Sequence, residues 1–198
     1  MPRIDKLALE RRFVAMPIHT KVLTHTDYDL EQAKALLEQV SRKLLAKEWF
    51  KDHWLVSVHY FPPEPANPES VTMHVYKSNW YNESRQGIHF ETYLGPDEFA
   101  KKTIPVMLHI FHTATVPGTN LKRIKVSKPF VDDAFDTIAG WKGYVFRVGK
   151  YGTQPFTCKL KFALDTLVDQ LEVELCRLCQ ELGPRMDKIL QDVVPAAK

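Results

Sequence analysis

WLVSVHYF (54–61), VTMHVYK (71–77), GIHFETY (87–93) and IPVMLHIFH (104–112) are the four runs on which the reading of this chain turns. Each is short, rich in β-branched and aromatic residues, and bounded by proline, glycine, asparagine or serine. The spacing predicts four consecutive strands. For the last run a buried helix starting at Pro105 is the alternative, because a short apolar stretch is ambiguous by period alone.

Successive strand side chains point to opposite faces. One face then carries Trp54, Val56, Val58 and Tyr60, with Met73, Val75, Ile88, Phe90, Val106, Leu108 and Ile110. This set is expected to face helices. The other face gathers His59, His74, His89, His109 and Glu91, ringed by Tyr76, Tyr93 and Phe111. His112 falls on the apolar side in this register. A slip of one residue would carry a whole set across the sheet.

Three uses of the polar face compete. Histidine, threonine and tyrosine are ordinary on a water-facing sheet surface. Aromatic walls with a few polar groups also describe a ligand pocket, lined here by His59, His74, Tyr76, His89, Glu91, Tyr93 and His109. The third use is a metal site at His89, Glu91 and His109. His89-x-Glu91 puts an imidazole and a carboxylate on one face, and a histidine from a neighbouring strand completes a two-histidine, one-carboxylate set. H-x-E is a pattern of little specificity, so the sequence favours no cofactor over a divalent metal. Leu55, Phe61, Met107 and Phe111 share this face, and a large apolar patch calls for a partner, a ligand or a cover.

Working outward, Asp29 stands as an N-cap with Gln32 three residues on. Leu30, Ala33, Leu37, Val40 and Leu44 then step by three and four, which predicts a helix over 29–50. Before it, 1–15 is weakly amphipathic and 18–24 alternates as an edge strand bearing His19. PPEPANPES (62–70) is a proline-rich loop. Beyond the four runs, a turn of helix at 96–102, a short strand at 121–126 and a strand at 141–148 are expected. Ser127 is placed as the cap of an inserted helix that ends at Gly140, and 154–156 as a brief returning strand. Leu160, Leu164, Leu167, Leu171, Leu175, Leu178 and Leu182 make one apolar ridge, predicted to end at Gly183-Pro184 before a short helix over 185–194.

The fold class expected is α+β, a single domain over 1–198 with a mostly antiparallel sheet packed against helices and a long C-terminal helix. Its parts are an N-terminal segment (1–25), a helix (29–50), a sheet region with one inserted helix (54–156) and C-terminal helices (158–194).

Composition narrows the classes. Hydrophobic residues are 44% and charged residues 26% of 198, with net charge +3. That is a globular balance; the mild excess of base leaves nucleic-acid binding open by charge alone, and nucleic acid is not the expected partner. Three cysteines do not make a disulfide framework. The expectation is a soluble cytoplasmic protein, not a membrane one, taking a small-molecule ligand, with a homo-oligomer open to it. Whether it is an enzyme is left undecided. The alternative is a non-catalytic module that meets a protein or single-stranded nucleic acid through an aromatic and basic surface, for which Lys122, Arg123, Lys125 and Lys128 supply charge. Cys176-x-x-Cys179 lies far from a helix start, so core packing is its expected role. Phosphate loops and nucleophile elbows are absent from the sequence.

Overall fold

The alternation of the 54–112 block is realised as four adjacent antiparallel strands: β1 (Leu55–Phe61), β2 (Ser70–Tyr76), β3 (Ile88–Leu94) and β4 (Thr103–Ile110). The computed structural model describes residues 28–51, 53–65 and 67–194. The expected helix at 1–15, the edge strand at 18–24 and His19 lie outside them. Two further strands, β5 (Tyr144–Phe146) and β6 (Phe156–Lys161), extend the sheet in the order β1-β2-β3-β4-β6-β5, every pair antiparallel. The helices are α1 (Leu30–Leu45), α2 (Glu48–Lys51), α3 (Pro96–Lys101), α4 (Ile124–Ala139) and α5 (Leu167–Val193). This is an α+β arrangement with a long C-terminal helix.

The apolar strand set is buried on β2, β3 and β4, whereas on the edge strand β1 Val56 and Val58 are half-buried and Tyr60 is exposed. Met73, Val75, Ile88, Phe90, Val106, Leu108 and Ile110 are fully buried in one cluster with Leu37, Val40 and Leu44 of α1, Val131 and Ile138 of α4, and Leu171, Leu175, Leu178 and Leu182 of α5. Each such side chain contributes about 1.5–3 kcal/mol relative to leaving it in water. Asp29 caps α1 by accepting from the backbone N–H groups of Glu31 and Gln32.

Several boundaries differ from expectation, among them the strands expected at 141–148 and 154–156, which are Tyr144–Phe146 and Phe156–Lys161. The first helix ends at Leu45, and a separate turn carries Phe50 inward to stack on Trp54 at 6.0 Å. The strand expected at 121–126 is absent: α4 starts at Ile124, and Ser127 is no cap but donates its hydroxyl to the Tyr151 carbonyl at 2.5 Å. The leucine ridge starts later than its period suggests. Leu160 lies in β6 opposite Ile104, and Leu164 is exposed.

At the other end Gly183-Pro184 does not stop α5, which runs on to Val193. A Cβ at Gly183 would lie 2.6 Å from Trp54 Cζ2, so this glycine serves close packing rather than termination. Pro184 forfeits one backbone bond at a cost of about 3 kcal/mol. Burial of Met186 and Leu190 in the following turns offsets about that much.

Candidate functional site

The polar face is built by cross-strand pairing. His74 on β2 stands opposite Glu91 on β3, and His89 on β3 stands opposite His109 on β4. Directly opposed residues have Cβ atoms about 4.5–5.5 Å apart, so no strong sheet curvature is needed to bring these four groups together. Glu91 Oε2 is the hub. It lies 3.1 Å from His74 Nε2, 3.4 Å from His89 Nε2 and 3.6 Å from His109 Nδ1.

A fifth group joins them. His112, expected on the apolar side, has its Nε2 2.9 Å from His109 Nδ1. The cause is Phe111, whose φ of 47° is left-handed, a strained position for a bulky residue. That residue breaks the alternation just past β4. It sends its own ring into the hydrophobic core, against expectation, and swings His112 back over the face. Phe111 therefore does not ring the site.

Asn82, in the loop between β2 and β3, is the other unforeseen member. It is buried, and its Oδ1 accepts from the Gly87 backbone N–H at 3.1 Å. The same oxygen faces His89 Nδ1 at 2.9 Å, so Nδ1 must carry the proton. A Cβ on Gly87 would lie 2.1 Å from the Tyr81 carbonyl oxygen, which makes glycine obligatory at this approach. Tyr81 and Arg85, on either side of Asn82, also hold positive φ values of 57° and 63°. Strain of this kind concentrates at functional sites.

The consequence falls on His89 Nε2. Burial holds this imidazole neutral and pushes its pKa down to about 3, against a smaller opposing pull from Glu91. With Nδ1 protonated, Nε2 bears a lone pair. It is fully buried and has no hydrogen-bond partner among the described residues. Its nearest polar neighbour is another lone-pair bearer, Glu91 Oε2. Burial works against the Glu91 charge, but the hydrogen bond from His74 and the proximity of the surrounding imidazoles outweigh it and hold the carboxyl below its ordinary range. His109 is lowered to about 4, chiefly by burial.

Two ligand sets lie within reach of a single ion: His89, His109 and His112, and His74, His89 and Glu91. Ring orientation constrains both. A metal lies near the plane of each imidazole it binds. His74 and His89 are stacked 4.0 Å apart at 25°, which does not let both planes meet at one point. His89 and His112 are likewise stacked, 5.6 Å apart at 13°, whereas His89 and His109 are tilted by 60°. With bonds near 2.0–2.1 Å, ligand atoms of a tetrahedral site are separated by about 3.3 Å. The 3.4 Å from His89 Nε2 to Glu91 Oε2 and the 3.6 Å from Glu91 Oε2 to His109 Nδ1 lie around that value.

The remaining expected residues take outer positions. His59 is one register step off, its ring 5.8 Å from His74, and its pKa is lowered by burial, then by Arg85 and His74. Tyr76 and Tyr93 are half-buried on the same face; burial, then Glu98 and Glu91, raise the Tyr93 phenol. A groove of about 470 Å³ lined by Leu30, Lys34, Tyr60 and Arg85 among others touches this face only through His59. Met107 joins Phe111 in being buried, so of the four apolar residues expected to make the face adhesive only Leu55 and Phe61 are exposed. The basic cluster is partly structural: Arg123 donates to the Phe111 and Thr113 carbonyls, and Lys128 pairs with Asp132. The cysteine thiols are all raised by burial, Cys158 to about 11, the opposite of an activated pair.

No helix among the described residues is long and apolar enough to cross a membrane. No protein-family model, curated protein or solved structure matches the chain, so the reading of this site rests on its own geometry.

Proposed function

We propose that this protein binds a divalent transition metal through His89 Nε2, Glu91 Oε2 and His109 Nδ1, leaving a coordination position open. The observation that carries the reading is the His89 lone pair, fully buried, unpartnered and 3.4 Å from a carboxylate oxygen. Two lone pairs facing each other in a dry site repel, and a cation between them turns the repulsion into two bonds. Asn82 orients His89 through its other nitrogen, the outer-shell arrangement that metal-bound histidines usually have. His74 donates to Glu91 and steadies the carboxylate in the same way. Mixed imidazole and carboxylate donors suit zinc, iron or manganese.

The test is metal analysis of the full chain after chelator treatment and reloading with Zn²⁺ or Co²⁺. One ion per chain is expected, with Co²⁺ giving the absorption of a low-coordinate site. Glu91→Gln keeps the size of the side chain and its acceptor for His74, so it should abolish uptake at micromolar metal while the fold persists. A chain that takes up no ion, with His89 titrating as an imidazolium paired to Glu91 by NMR, would overturn the reading and leave a water-facing histidine surface.

A further inference from the structure

Resting on that metal reading, we infer that the ion's remaining coordination position takes an oxyanion, a phosphate or carboxylate group, held by Arg147 and Lys159. The sheet register carries the argument. Glu91 stands opposite Met107, which stands opposite Thr157, which stands opposite Val145. That row belongs to the histidine face, and it runs from the proposed metal site across β4 and β6 to the edge strand β5. Lys159 is two residues from Thr157 and opposite Pro105, so it shares the face. The Arg147 backbone N–H donates to the Pro155 carbonyl at 3.0 Å, continuing the β5–β6 pairing one step beyond Phe146. Alternation from Val145 then puts Arg147 on this face as well.

The spacing suits a shared ligand. Arg147 lies two strands from His109, about 10 Å between backbones, and a long guanidinium side chain spans most of that gap. Pro155, the β6-side neighbour of Arg147 in the direction of β4, carries no charge. Arg147 and Lys159 are both exposed, and neither forms an ion pair with a described residue. A single carboxylate, Glu91, leaves a divalent ion only half neutralised, and the two free cations add to the excess. An oxyanion answers both needs: one oxygen completes the metal sphere and the others meet a planar fork of donors.

The experiment uses the full chain loaded with one equivalent of Co²⁺ and freed of excess metal. Inorganic phosphate and oxalate are titrated separately while the visible spectrum and binding heat are followed. At least one should perturb the Co²⁺ bands with a saturable, one-to-one isotherm, and the two arms tell phosphate from carboxylate preference. Arg147→Gln and Lys159→Gln should each weaken that anion tenfold or more and leave metal stoichiometry unchanged. Anion affinity that is unaltered in both variants, or a Co²⁺ spectrum indifferent to either anion, overturns this inference and leaves metal binding intact. A wild-type chain that retains no Co²⁺ overturns the metal reading, and this inference with it.

Discussion

At the scale of single residues, Asn82 has the largest leverage for its size. It lies outside the strands, yet its carbonyl oxygen selects the tautomer of His89 through one 2.9 Å contact. Asn82→Leu removes that acceptor and strands the Gly87 N–H, so the His89 proton is free to move to Nε2. Metal affinity should fall by about 10–100-fold, the usual cost of losing an outer-shell partner. Competition titration against a chromophoric chelator measures it. An affinity within twofold of the wild type would mean that His89 holds its orientation without Asn82. Phe111 acts differently: its left-handed backbone delivers His112, and its ring is anchored in the core.

At the scale of elements, α5 is the main support under the sheet. Its ridge from Leu167 to Leu182 is fully buried at Leu167, Leu171, Leu175, Leu178 and Leu182. Lys77 and the Trp80 indole both reach Asp187 on the same helix, at 2.5 and 2.8 Å, tying the loop that carries Asn82 to α5. Leu171→Asp puts an unpaired carboxylate in the middle of this contact, a substitution that costs several kcal/mol or more. It should leave the chain largely unfolded, as read by circular dichroism and urea denaturation. A soluble variant with an unchanged denaturation midpoint would mean that the ridge is not buried.

At the scale of the whole molecule, the histidine cluster makes stability depend on pH. His89 and His109 have folded pKa values of about 3 and about 4 because burial disfavours their charged forms. An unfolded histidine titrates near 6.5, so as pH falls below about 6.5 the unfolded chain takes up protons first. Stability should be greatest above that pH and decline steadily towards about pH 4. Glu91, held low by its histidine neighbours, adds to the loss below about pH 4.5. A bound metal excludes protons from the same nitrogens, so saturating metal should raise the urea midpoint most at neutral pH. Equal midpoints at about pH 7.5 and 5 without metal would show that these histidines are not buried as neutral rings.

The period of two in residues 54–112 was enough to separate Met73, Val75, Phe90 and Leu108 from His74, His89, Glu91 and His109, because alternation is a local property of extended backbone. Asp29 as a helix start was legible for the same reason: a cap bonds to N–H groups two and three residues away. The extent of α5 was not, since Leu160 and Leu164 keep the helical period while the chain around Leu160 is claimed by pairing with β4. Nor was the persistence of α5 through Gly183-Pro184, where contact with Trp54, far away in sequence, decides the outcome. The candidate site divides along the same line. Its histidines and glutamate could be assembled from alternation and spacing, but His112 and Asn82 enter only through the left-handed backbone at Phe111 and the close approach at Gly87. Those are set by tertiary packing of the Phe111 ring and the Tyr81 carbonyl, and no local pattern of side chains encodes them.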